Sequence, residues 1–273
     1  MQSRIILRPM GKQPKYKKRF GQHHLRSGEL CRPLIEFLRP QGLDVVEIGP
    51  GGGILTAELV REGARVLALE VDISWACHLR WTLPDPELSV AVMDAQEFPW
   101  ERLPDGALIT GNLPFNVGTR LVERTLEAAS ASPEKIPRLG YMLQKEVADR
   151  LTAEPGQKAY GALTVLVQAM AEARPLGTLA PGAFRPPPKV SAAFVGLTPR
   201  APAISRDRWP AFRKLVHAAF SQRRKTLRNS LSSAMGKEAA EALLGAVGLD
   251  PKIRGEALRL ADFVDLFEAQ ERL

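Results

Sequence analysis

Cysteine is scarce in this chain, with only Cys31 and Cys77 among 273 residues. Two thiols build no disulfide framework, and a reducing cytosol fits them. Histidine is scarce too, limited to His23, His24, His78 and His217. No Cys/His set has the spacing of zinc ligands, and no metal is expected. Long apolar runs are missing. The opening Met-Gln-Ser-Arg-Ile-Ile-Leu-Arg lacks the apolar stretch of a secretory signal. The most apolar long run, 159–171, has 13 residues and is too short to cross a bilayer. A soluble, cytoplasmic chain with no membrane partner is expected.

Acid is absent where base is dense. Residues 1–26 carry eight cations (Arg4, Arg8, Lys12, Lys15, Lys17, Lys18, Arg19 and Arg26) and no acid. Residues 206–229 carry eight Lys/Arg against the single Asp207, densest at Arg223-Arg224-Lys225 and Arg228. The whole chain has a net charge of +8. One such run is commonly a solvated face, but two flanking an enzyme-like domain point to a polyanionic partner.

The apolar fraction of 45% is that of a globular protein with a real core. After the arm, 28–38 has helical periodicity and should stop near Pro40. Strands are predicted at 44–48, 65–70, 88–93, 107–110, 139–144 and 191–197, and helices at 55–61 and 119–129. Such alternation implies a parallel sheet covered on both faces, that is, an α/β fold. The segment 159–170 reads equally as helix or buried strand. Prolines at 186–188 and between 199 and 202 punctuate the end of the sheet domain. From about Ile204 onward only helical patterns appear, at 209–219 and 238–247. Three parts are therefore expected: a basic arm at 1–26, a sheet domain at 27–200 and a small C-terminal helical domain at 201–273.

The strongest local signal is Val45-Val46-Glu47-Ile48-Gly49-Pro50-Gly51-Gly52-Gly53, a buried strand entering a glycine-rich turn before a helix. Glycines such as Gly49 and Gly51 let a ligand approach main-chain N–H groups. Alone, the turn also suits NAD, FAD or a phosphate. The next strand ends at Glu70, 21 residues after Gly49, where an acid can accept from ribose hydroxyls. Asp94 follows the third strand, placed to accept from an adenine amino group. Pro50 removes an N–H where a diphosphate would want a donor, so the ligand reads as a nucleoside without phosphates, such as S-adenosylmethionine.

After the fourth strand comes Gly111-Asn112-Leu113-Pro114-Phe115. An adenine amino nitrogen is a poor nucleophile because its lone pair is delocalised into the ring. A side-chain amide oxygen at Asn112, with a main-chain carbonyl of Leu113 held out by Pro114, can accept both amino hydrogens and direct the lone pair at a methyl donor. Positioning and preorganised dipoles then supply the rate without a strong base. Phe115 offers a face on which an extruded base can stack. The plainer alternative is an Asx turn with Phe115 in the core.

Six segments in order resemble the ribosomal RNA adenine dimethylases, and within them the small-subunit branch. They are Arg19–Leu25, Glu47–Thr56, Asn112–Phe115, Gln144–Arg150, Phe184–Val190 and Phe220–Leu231, reaching across nearly the whole chain from Lys18. The resemblance implies a Rossmann-like class I methyltransferase sheet with S-adenosylmethionine contacts at His23, Leu25, Gly49, Glu70, Asp94 and Asn112. It also implies stacking of the target adenine between Phe115 and Phe184, and RNA contacts from Lys17, Lys18, Arg19, Lys189, Arg223, Arg224, Lys225 and Arg228. The implied reaction is dimethylation of two adjacent adenosines in a hairpin loop near the 3′ end of 16S ribosomal RNA, on a small-subunit precursor, by a monomer. The chain departs from the family at His23 and His24, where Asn and Phe are usual, and at Phe115, where Tyr is commoner.

Two alternatives stay open at this point. One is the branch that methylates an adenine of 23S RNA and confers antibiotic resistance; the other is a ribosome-assembly factor that binds RNA without catalysis. DNA adenine methylation fits less well.

Overall fold

The computed structural model describes residue 14, residues 23–114 and residues 117–273. In chain order the elements are β1 (His24–Leu25), α1 (Arg32–Leu38), β2 (Asp44–Ile48), α2 (Ile54–Arg61), β3 (Arg65–Glu70), α3 (Ile73–Thr82), β4 (Leu88–Val92), β5 (Leu108–Asn112), α4 (Gly118–Ala131) and β6 (Arg138–Gln144). There follow α5 (Lys145–Leu151), α6 (Ala162–Gln168), β7 (Ala171–Leu179), β8 (Phe184–Arg185), β9 (Ala192–Pro199), α7 (Trp209–Ala219), α8 (Leu227–Met235), α9 (Lys237–Ala246) and α10 (Leu260–Arg272). They divide into two units. One holds the residues up to Ala148 with Arg174–Pro199, and the other holds Asp149–Ala173 with Arg200–Leu273.

The first unit is built on a seven-stranded sheet in the order β4-β3-β2-β5-β6-β9-β7. Its middle strands are Val-, Ile- and Leu-rich without alternation, as strands covered on both faces must be. Val45, Val46, Ile48, Leu108 and Ile109 are all at most 3% exposed. The four pairings from β4 to β6 are parallel, with Ile48 opposite Gly111 and Glu70 opposite Val92. The helix α4 buries Leu121, Val122, Leu126 and Ala129 along one stripe, the spacing of an amphipathic helix.

The sheet and its helices differ in places from the sequence expectation. The sheet is not wholly parallel, because β9 runs antiparallel to β6. The edge strand β7 went unread: Pro175 and Gly177 interrupt its pattern, and a proline is tolerated only where one side of a strand needs no partner. The helix α3 also went unread, because Ile, Trp, Cys and Thr give it little intrinsic helix preference; Asp72 caps it by accepting from the Ser74 amide at 3.0 Å. Within 159–170, which reads equally as helix or strand, Ala162–Gln168 is helical, as α6.

The second unit is all-helical beyond the start of β7. It packs Phe212, Phe263, Phe267, Leu227, Leu231, Leu243 and Leu244 with Tyr160 and Val165 from the earlier segment. Each such side chain contributes about 1.5–3 kcal/mol on burial. Tyr160 also donates from its hydroxyl to the Leu258 carbonyl at 2.7 Å, tying the earlier segment to the later one within this unit. Besides the residues expected from about 201, the unit thus takes in Asp149–Ala173.

Candidate active site

Strand order locates the site. The chain passes from β2 outward through β3 and β4, then returns to the other side of β2 as β5 and β6. The loops leaving β2 and β5 therefore diverge, and ligands of open α/β sheets bind in the crevice at such a point, beyond the carboxyl ends of the strands. A cavity of about 270 Å³ lies there, lined among others by His23, Gly49, Gly51, Glu70, Asp94 and Asn112.

The glycine turn forms one wall. Gly51 has φ +51°, and its amide donates to Glu70 Oε2 at 3.1 Å. The ring of His24 lies across the turn and meets Trp75 edge-on at 4.3 Å between centroids. Burial first, then the neighbouring His23 and His78, hold the His24 imidazole down to about 4 from its ordinary 6.5, so it is neutral at physiological pH.

Glu70 closes β3 and is 4% exposed. Its second oxygen accepts from the Asp72 amide at 2.9 Å. Burial pushes its carboxyl above the ordinary range, while those backbone donors pull it back. Asp94 is exposed at the end of β4 and accepts from the Gln96 amide at 2.9 Å, which fixes its carboxylate at the rim. Behind the turn, Glu47 is 1% exposed, and burial raises it to about 8.

Asn112 ends β5. Its Nδ2 donates to the His23 carbonyl at 2.7 Å. Only the amide nitrogen can meet a carbonyl oxygen in this way, so Oδ1 is the atom available to accept. The Leu113 amide donates to the Met142 carbonyl at 3.0 Å, and its side chain is buried, so its part in the turn is a main-chain one. The Pro114 carbonyl then accepts from the Gly118 amide at 2.8 Å, which starts α4 directly after the turn.

The cavity thus brings together His23, Gly49, Gly51, Glu70, Asp94, Asn112 and Pro114. It does not include Leu25, which is 8% exposed and packs in the core. Phe184 lies in β8 opposite Leu25, and its ring is 2% exposed among core side chains, outside the cavity lining. Phe115, Lys17, Lys18 and Arg19 lie outside the described residues. Lys189, Arg223, Arg224 and Lys225 are exposed. Arg223 and Arg228 also serve acids of their own unit, with Arg223 Nε 3.8 Å from Glu256 Oε2 and Arg228 Nη1 3.3 Å from Glu241 Oε1.

Sequence reasoning missed the apolar half of the cavity. Val71 and Met93 line it and stay 47% and 38% exposed, beside Glu70 and Asp94. His24, Val117 and Leu121 line it as well. For Val71 and Met93 the available signal was adjacency, since each neighbours an acid at a strand's carboxyl end.

The family model described as ribosomal RNA adenine dimethylase matches residues 13–271. Over 257 residues the chain is 43% identical to ribosomal RNA small subunit methyltransferase A of Phenylobacterium zucineum, covering 93% of this chain and 87% of that one. It is 40% identical over 261 residues to the protein of the same name from Acidithiobacillus ferrooxidans, covering 94% and 95%. Among solved structures, a dimethyladenosine transferase from Plasmodium falciparum shares the fold with a TM-score of 0.76 at 22% identity, over 89% of this chain and 96% of that one. The 23S rRNA methyltransferase ErmE superposes with a TM-score of 0.69 at 25% identity, over 90% and 99%. The fold is therefore the Rossmann-like class I methyltransferase sheet expected from the sequence.

Proposed function

The chain belongs to the ribosomal RNA adenine dimethylase family, and from that premise we propose how it acts and on what. It is a methyltransferase that dimethylates adenine in small-subunit ribosomal RNA. The finer target we assign is the pair of adjacent adenosines in a hairpin loop near the 3′ end of 16S RNA, met on a small-subunit precursor in the cytoplasm by a monomer. Among the described residues no helix is long and apolar enough to cross a membrane, in keeping with that partner.

The methyl donor we assign is S-adenosylmethionine, and the residues present fit it. Glu70 and Asp94 offer carboxylates at successive strand ends for ribose hydroxyls and an amino group, Val71 and Met93 offer apolar surface beside them, and Gly49 and Gly51 bring main chain to the cavity wall, with the His24 ring over Gly51. Bound there, the donor supplies a methyl group on a positively charged sulfur. His23 and Asn112 line the same cavity.

One observation carries the catalytic reading: the Asn112 amide nitrogen is held by the His23 carbonyl. Its Oδ1 is thereby turned to accept a hydrogen from an adenine amino group, drawing the nitrogen lone pair out of the ring. No general base is required of the protein, since the amide acts by position. Phe115 is assigned a base-stacking role, and the exposed Lys189, Arg224 and Lys225 are assigned to RNA phosphates, together with Lys17, Lys18 and Arg19. The helical unit is assigned to RNA binding.

The test is mass spectrometry of small-subunit RNA from a deletion strain rescued by this chain or by its Asn112→Ala variant. Adjacent dimethyladenosines should return with the first and not with the second. Modification confined to 23S RNA would overturn the substrate, and rescue by Asn112→Ala would overturn the site.

A further inference from the structure

Three segments distant in sequence meet through two hydrogen bonds at one residue. The carbonyl of His23 accepts from Asn112 Nδ2 at 2.7 Å. The ring Nδ1 of the same residue lies 2.8 Å from the Pro186 carbonyl oxygen. A carbonyl oxygen only accepts, so Nδ1 carries a proton here, in either the neutral or the charged ring. The contact continues as a short antiparallel ladder, with His24 opposite Arg185 and Leu25 opposite Phe184. Arg26 extends it, its amide donating to the Ala183 carbonyl at 3.0 Å and its Nε to the Phe184 carbonyl at 3.1 Å.

We infer that His23 is a positioning residue that ties the orientation of the Asn112 amide to the placement of the Phe184–Pro186 segment. Its main chain sets which way the amide turns, and its ring sets where the Pro186 backbone lies relative to that amide. The inference rests on the reading of Asn112 as the group that grips adenine. Beyond the ladder pairing of residues 24 and 25, the ring contact to Pro186 adds a tie at residue 23 itself. Small misplacements at a reacting centre are costly, since a shift of about 1 Å can lower a rate by about a hundredfold.

The side-chain requirement is specific. Nδ1 of imidazole and Nδ2 of asparagine stand the same number of bonds from Cβ, whereas the glutamine amide nitrogen stands one bond further. Asparagine at position 23 therefore reproduces the donor to Pro186 and glutamine does not.

The experiment uses the full chain, small-subunit precursor particles and labelled S-adenosylmethionine, with KM for the donor and kcat separated and thermal melting recorded. His23→Ala should lower kcat about tenfold or more at saturating donor, the order expected for one lost hydrogen bond to an oriented group. His23→Asn should return kcat to within about twofold and His23→Gln should not, with melting temperatures alike. If His23→Ala does not fold, the Asn and Gln variants decide. Wild-type kcat in His23→Ala with only KM for the donor raised would overturn the inference, as would equal rates for Asn and Gln. Asn112→Ala is run alongside. Its full activity would overturn the reading of Asn112 itself, whereas its loss together with unaffected His23 variants would overturn the positioning role alone.

Discussion

The ring of His24 covers Gly51 so closely that a Cβ on that glycine would stand 2.7 Å from Nε2. The φ of +51° there is itself unfavourable for a side chain. Gly51→Ala is therefore opposed twice. It should lose about 1–3 kcal/mol of stability, read by thermal melting, and raise KM for the methyl donor severalfold by pushing His24 into the cavity. An unchanged KM and melting temperature would contradict this account of the turn.

Replacing Asn112 by aspartate keeps the shape and removes the donor. An ionised carboxylate facing the His23 carbonyl has nothing to offer it, so the side chain should turn away. Asn112→Asp should lose methyl transfer as fully as Asn112→Ala, about a hundredfold or more, with RNA affinity within several-fold of wild type. Single-turnover rates and filter binding separate the two effects.

Stability should carry two opposed pH dependences. Burial raises Glu47 from 4.5 to about 8, so the folded state holds a proton that the unfolded chain releases, and stability falls as pH rises across that window. His24 is lowered from 6.5 to about 4, so the unfolded chain takes up a proton that the folded state refuses, and stability falls as pH drops from 6.5 towards 4. Glu70 shares the first sign and His78 the second. Relative to wild type, Glu47→Gln should gain stability progressively from about pH 5 to 8, and His24→Phe progressively from 6.5 downward, each by at most about 1.4 kcal/mol per pH unit. Melting series across pH 4.5–8.5 check both; a difference from wild type independent of pH would refute the assignment for that residue.

RNA affinity should fall steeply with salt, because Lys/Arg contacts release counterions from phosphates. Arg224→Ala and Lys225→Ala should each reduce the log–log slope by about 0.7–0.9. Arg228→Ala should reduce it less, since its guanidinium already faces Glu241. An affinity flat between low and physiological salt would remove the basis for the RNA-contact assignment.

The polar skeleton of the site was legible in the sequence, and its apolar lining was not. Glu70, Asp94 and Asn112 stand out because each follows a visible strand, in the order glycine turn, acid, acid, amide. Val71 and Met93 resemble any core residue until the strand order shows that they stand beyond the sheet's carboxyl edge. The interior strands read correctly because burial on both faces leaves an unbroken apolar run. The edge strand β7 did not, because Pro175 and Gly177 are compatible with strand structure only at an edge, and edge position is a property of the assembled sheet.

The parallel pairing of β2 with β5 sets Gly111 against Ile48, where any Cβ would collide with the Ile48 carbonyl oxygen. That contact holds the two strand ends in fixed register. The glycine turn leaves the end of β2 and Asn112 ends the neighbouring β5, so the register of the two strands sets the spacing between them. Substitutions in the cavity's walls and rim leave that spacing alone; it changes only if the ladder slips, and a side chain at position 111 would force such a slip.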